Sequence, residues 1–276
     1  MSKCDLKGLY KTMLSNEYGG KEIWEYFNED LTSTPLTSSI AFKGKKYDDS
    51  KTKLIAIGRA MNGWEAPFSS CKSIEDLITK ILDQKFSFSD VIRRKEKTQH
   101  SYLYIRSKFW KLIKYVLEEF GEANDEWYDD NNDNSNMNWN EKIVWSNLYK
   151  VSPRYKGNPD NQLIKKTLKT NIDILKFEID ENKPEKILFV TDEWYLKPFP
   201  DMPAFVDEFG IKFDHFDQQE SKRCVIGSGT YGKAKIVVCT RPDIWGSTNQ
   251  YVRNMAKEIK EAFDPIKSDL QSPLLK

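Results

Sequence analysis

The sequence predicts an α/β fold in which three layers, α/β/α, surround a mainly parallel four-stranded sheet, with helices added at the N-terminus. Two observations lead there. Four short apolar runs, near 53–58, 142–148, 186–191 and 234–240, each end in a turn residue or a polar loop, as strands buried on both faces do. Segments of helical period lie between them, and strands alternating with helices imply parallel pairing. The 276 residues fit one domain (1–276), with an N-terminal extension and connector over 1–50 and a core over 53–263.

The elements follow in order. Residues 5–30 predict two short helices, one with Leu6, Leu9, Tyr10 and Met13 on a stripe and one with Ile23, Tyr26 and Phe27. A Ser/Thr/Pro-rich connector spans 31–39. Lys53-Leu-Ile-Ala-Ile-Gly58 is the first core strand, and Arg59 to Trp64 is the loop at its carboxyl end. Ser73 can cap a helix over 73–84, and a longer helix is expected over about 101–120. Residues 124–140, NDEWYDDNNDNSNMNWN, form an Asn/Asp-rich insertion with little to bury, read as an exposed loop. Strand, helix and strand then follow at 142–148, 161–181 and 186–191. Two short strand-like pieces near 211–216 and 223–226 precede the last core strand, and a helix over 248–263 closes the domain.

Composition limits function. Hydrophobic residues make up 39% and charged residues 31%, and Lys+Arg 43 against Asp+Glu 42 leaves +1, so no global field drives the chain onto polyanions. No stretch approaches the roughly 20 apolar residues needed to span a bilayer, and the N-terminus lacks a signal-peptide apolar core. The expectation is a cytoplasmic protein without a membrane partner. Cys4, Cys71, Cys224 and Cys239 form no C-x-x-C pair and read as free interior thiols, and with only His100 and His215 neither a metal nor a cofactor is expected.

Two motif matches read as incidental. Gly227-Ser-Gly-Thr-Tyr-Gly232 fits a glycine-rich phosphate loop, but apolar strand-like residues flank it on both sides, which describes a hairpin. Asp130, Asn132, Asn134, Asn136 and Glu141 have EF-hand spacing, but Ser135 stands where the turn wants Gly, so a polar surface loop is expected.

In parallel sheets ligands sit outside the carboxyl ends of the strands, so the segments 59–68, 147–154, 191–195 and 241–245 should converge. The first combines Gly58, Asn62, Gly63 and Trp64, suited to a flat ligand, and the last places Arg241, Asp243 and Trp245 close together. Asn147, among apolar neighbours, either satisfies buried backbone or faces a ligand edge. From Lys150 to Lys169 six basic residues stand against Asp160 alone, a local +5, and Arg93, Arg94, Lys95 and Lys97 make a second cluster. Basic runs beside an aromatic and amide-rich pocket point to nucleic acid.

Four motifs in order, LIAIGRAMNGWE, IVWSNLYKVSP, KPEKILFVTDEW and KIVVCTRPDIWGSTN, resemble the uracil-DNA glycosylase-like superfamily over about residues 53–263. The resemblance implies a hydrolase acting on DNA, cleaving the N-glycosidic bond of a flipped-out, damaged or modified base, or else an inactive nucleic-acid- or nucleotide-binding module of the same fold. It implies catalytic roles for Asn62, Glu65 and Arg241, the first two placing water and the third stabilising the departing base. Base contacts fall to Met61, Trp64, Asn147 and Trp194, and nucleic-acid backbone contacts to Lys150, Arg154, Lys156 and Ser247. Arg241-Pro242 stands where the family usually has His-Pro-Ser, and the first loop lacks the usual Pro-Gly.

Overall fold

Four of the apolar runs form the parallel middle of one sheet. In the computed structural model they are β5 (Leu54–Gly58), β6 (Val144–Asn147), β8 (Lys186–Val190) and β11 (Ala234–Cys239). β5 pairs in parallel with β6 on one side and β8 on the other, and β8 pairs in parallel with β11. The model describes residues 3–28, 32, 35–61, 68, 71–84, 107–123, 139–154, 157–192, 208–216, 224–242 and 248–265. The Asn/Asp-rich insertion, apart from residues 139–140, and the basic cluster at 93–97 lie outside them.

The sheet is larger than the four strands expected. β4 (Phe42–Lys43) adds antiparallel to β6 at one edge, and β10 (Val225–Tyr231) and β9 (Lys212–Phe216) add antiparallel beyond β11, giving the seven-stranded order β4-β6-β5-β8-β11-β10-β9. The glycine-rich motif is the β10–β11 hairpin, and its glycines have structural reasons. Gly232 turns the chain at φ 59. A Cβ on Gly229 would lie 2.1 Å from the Lys212 carbonyl oxygen, so only glycine admits β9 at that bulge. Two small ribbons complete the strands, β1 (Glu17–Tyr18) with β2 (Lys21–Glu22) and β3 (Leu36–Ser38) with β7 (Val151–Pro153).

The pleat sorts side chains onto two faces. Leu54, Ala56, Trp145, Leu188, Val190, Val237 and Cys239 pack against α3 (Lys108–Glu119) and α5 (Asn249–Phe263). Ile55, Ile57, Val144, Ile187, Phe189, Ile236 and Val238 pack against Ile164, Leu168, Ile172, Leu175 and Ile179 of α4 (Asn161–Asn182). α4 is buried on its far side too. Leu163, Ile174 and Phe177 meet α1 (Lys3–Leu14), α2 (Ile74–Leu82) and the 3-10 turn Ile23–Phe27, so the N-terminal elements form a further layer outside α4. That 3-10 turn stands where a second N-terminal helix was expected, because the β1–β2 ribbon takes up the preceding residues.

Side-chain caps set the helix starts: Ser73, Ser107, Asp160 and Thr248 accept the backbone N–H of Asp76, Trp110, Leu163 and Tyr251 at 3.2, 3.3, 2.8 and 3.1 Å. No helix among the described residues is long and apolar enough to cross a membrane.

The approach to β5 is fixed by one carboxylate. Glu122, buried just beyond α3, accepts Ser50 Oγ at 3.1 Å, the backbone N–H groups of Lys51 and Thr52, and pairs with Lys142 Nζ at 3.2 Å. Burial opposes its charge, but Lys142 and the donors from Thr52, Lys51 and Ser50 outweigh that and hold its pKa below the usual glutamate value. A depressed folded-state pKa contributes stability above the ordinary glutamate range and loses it as pH falls toward the folded value. Glu122→Gln should therefore cost about 2 kcal/mol at neutral pH and flatten the acid limb of the stability curve, as urea titrations between neutral and acidic pH will measure.

Candidate functional site

The carboxyl ends of the four parallel strands open on one cavity of about 110 Å³. Gly58 comes from β5, Asn147 from β6, Val190 from β8, and Arg241 follows β11. Trp145, two residues before Asn147, lies on the same face of β6, and the first turn of α3 adds Ser107, Phe109 and Trp110. Arg59, Ala60, Gly157 and Asn158 complete the lining. The rings make one wall: Trp110 meets Trp145 and Phe109 edge-on, each with centroids 5.0 Å apart.

Asn147 is 2% exposed, and its Nδ2 has no hydrogen-bond partner among the described residues. Its Oδ1 packs against Gly58, where an added Cβ would come within 2.9 Å. A buried amide donor normally finds an acceptor, and its absence here suits a ligand edge. Of the two sequence readings of Asn147, backbone satisfaction or ligand recognition, the open donor favours the second.

Asp192 joins three strand ends. Its carboxylate pairs with the Arg59 guanidinium and accepts the Arg241 backbone N–H, while Arg59 Nε donates to the Thr191 carbonyl at 2.9 Å. Asp192 itself is left-handed, φ 55, a conformation uncommon outside glycine and better tolerated by Asp and Asn than by most residues. The β5 and β6 exits are tied as well, by Leu148 N–H to Gly58 O and Tyr149 N–H to Arg59 O, both 2.8 Å.

Of the residues expected at the site, Asn147 and Arg241 line the cavity together. Met61 is buried, its backbone carbonyl accepts Ser152 Oγ at 3.0 Å, and it is not among the lining residues. Arg154 ends the β3–β7 ribbon, where its N–H donates to the Pro35 carbonyl at 2.8 Å, and it is not among the lining residues. Asn62, Trp64, Glu65, Lys156, Trp194 and Ser247 lie outside the described residues.

Lys150 requires a correction. Its side chain is 0% exposed and its ammonium reaches Glu178 Oε2 at 2.5 Å and Ser146 Oγ at 2.6 Å, inside the protein between β6 and α4. Burial pulls its pKa down, while Glu178 acts to keep it charged. Glu178 also accepts Ser146 Oγ at 2.6 Å and the Ala41 N–H at 2.8 Å, so this lysine ties layers together and cannot contact a nucleic-acid backbone.

The sequence reading missed Asp192, Ser107, Phe109, Trp110 and Trp145. Asp192 lay in a segment expected to converge, but nothing local marks its double bridge. The α3 aromatics sit at helical spacing and read as core, which Trp110 also is. Cys71, Cys224 and Cys239 are buried and free, and burial raises all three thiols, so none is poised as a thiolate.

Two substitutions check this geometry. Lys150→Met should lower stability by about 3 kcal/mol in urea titrations, by stranding the Glu178 charge, and leave the salt dependence of any nucleic-acid binding unchanged. Gly58→Ala should turn the Asn147 amide at a cost of about 1 kcal/mol, read as a moved side-chain NH₂ signal in ¹⁵N spectra.

A scan against protein-family models and a search of curated protein sequences return no match to this chain.

Proposed function

We propose that this cavity receives a nucleobase turned out of a DNA strand, and that the protein hydrolyses the bond holding it to the sugar. The open Asn147 donor, buried at the carboxyl end of β6 against Gly58, carries the reading. In this scheme Asn147 Nδ2 donates to an acceptor on the base edge, and the ring lies along the Trp110 and Trp145 wall, with Trp64 and Trp194 as further stacking candidates. Asn62 and Glu65 place a water, whose oxygen bonds to the anomeric carbon as the carbon–nitrogen bond breaks. The bond pair leaves on the base, which Arg241 stabilises before the base takes up the proton that the water releases. A guanidinium is permanently charged, so Arg241 acts by charge and hydrogen bonding and cannot exchange a proton as His would.

The second reading, a module that binds nucleic acid or a nucleotide without cleaving it, is favoured by a different observation. No carboxylate or imidazole is among the described lining residues, so a base to take the proton of water has to come from elsewhere.

Single-turnover base release from DNA carrying uracil, hypoxanthine or alkylated bases, scored as abasic sites, separates the two. For the hydrolase, Arg241→Ala should slow release by about 10²–10³ with little change in affinity, and Asn147→Asp should shift base preference. For the binding module no parent release is seen, and Arg241→Ala lowers the salt slope of binding by about one.

A further inference from the structure

We propose that Glu178, on α4, is a positioning residue for the cavity: one oxygen of its carboxylate clamps the chain on both sides of Asn147 and so fixes where the open amide donor points. The proposal rests on the reading of Asn147 as the group that recognises the base, and adds what aims it.

The clamp brackets the recognition residue. Glu178 Oε2 accepts Ser146 Oγ, just before Asn147, at 2.6 Å and Lys150 Nζ, just beyond it, at 2.5 Å, and the lysine closes the triangle on Ser146 Oγ at 2.6 Å. The other carboxylate oxygen is fixed as well, accepting the Ala41 N–H at 2.8 Å. Lys150 is also held by its backbone, whose N–H donates to Asn171 Oδ1 of α4 at 3.0 Å and whose carbonyl accepts the Ser39 N–H at 3.1 Å. Between the clamped residues, the N–H groups of Leu148 and Tyr149 are tied to the β5 exit. The chain that carries Asn147 is therefore fixed to β5 across the sheet and to α4 beneath it. Asn147 Nδ2 has no partner among the described residues, so beyond the contact of Oδ1 with Gly58 its direction is set by that chain.

A salt bridge is a costly way to attach a sheet to a helix. Both side chains are inside, Lys150 0% and Glu178 3% exposed, and apolar residues of similar volume commonly give equal or greater stability in such places. α4 already meets this face of the sheet through Ile164, Leu168, Ile172, Leu175 and Ile179. What the pair adds is direction, because apolar contacts tolerate a slide that short, charge-assisted hydrogen bonds do not. Fixing register is the best-attested use of a buried polar pair, and the register fixed here is that of the donor.

The test compares the full chain with two variants. Lys150→Met/Glu178→Gln removes both charges and keeps an acceptor for the Ala41 N–H, and Ser146→Ala opens one side of the clamp and keeps the ion pair. Each is followed by melting temperature, by ¹⁵N relaxation of the Asn147 side-chain NH₂, and by binding to DNA carrying uracil, hypoxanthine or an alkylated base. Positioning predicts a melting temperature close to the parent's, an Asn147 side chain that is rigid in the parent and mobile in both variants, and about tenfold less discrimination among the bases in the double variant. A purely structural tie predicts a lower melting temperature with Asn147 as rigid as in the parent. A rigid Asn147 in Ser146→Ala overturns the proposal, whether or not the double variant folds. Asn147→Ala separates this from the reading beneath it. Parent-like discrimination in Asn147→Ala removes that reading, while a mobile Asn147 in the clamp variants still supports the positioning. Lost discrimination in Asn147→Ala, with Asn147 rigid in the clamp variants, keeps the reading and removes the proposal.

Discussion

The site depends on the register of β5 against β6. Their parallel pairing sets Gly58 opposite Asn147, and β8 and β11 continue the same level with Val190 opposite Cys239. Side chains alternate along a strand, so a slip of one residue would turn Asn147 toward α4 and bring Ser146 to the cavity. The slip is opposed on both faces at once. Trp145 would leave the ring cluster with Phe42 and Trp110, and Ser146 would lose Glu178. The buried Asn147 donor is thus held by packing that has nothing to do with a ligand.

Three polar solutions stand close together, and their differences assign their roles. Lys150 and Glu178 are buried with partners on each other, on Ser146 and on Ala41, so their polar capacity is spent on joining β6 to α4. Asp192 is part-exposed and also spent, on Arg59 and on the Arg241 backbone. Asn147 is as buried as the first pair, but its donor is not spent among the described residues. An unmet donor inside a protein costs about 1–3 kcal/mol unless an acceptor reaches it.

How much of this was legible follows from range. The four core strands and α2, α4 and α5 are written in local periodicity, and Asn147 and Arg241 follow from the rule that parallel strands deliver their carboxyl ends to one place. The hairpin was legible because its apolar flanks contradict a phosphate loop. What failed was long-range. Lys150 sits in a basic run, and its partner Glu178 is 28 residues away on another element. β4 has two residues, a pattern too short to announce a sheet edge, while the strand-like piece read near 211–216 is β9, whose Lys212, Asp214 and His215 within five residues gave no sign that it extends the core sheet. Asp192 has no local signature, because its bridge is made by two segments far apart in sequence.

The clamp at Asp192 also bears on how Arg241 can act. Fixing the backbone N–H of Arg241 to a carboxylate anchored on β8 leaves the side chain the only variable part of that residue. A guanidinium on an anchored backbone is suited to meeting charge at a set place, the condition under which electrostatic stabilisation is strongest. The same carboxylate holds Arg59 by its charge, so of the two arginines at the cavity Arg59 is matched within the protein, while no described carboxylate pairs with the Arg241 guanidinium. Among the described lining residues that leaves a cation and no carboxylate, which gives the cavity a sign as well as a shape.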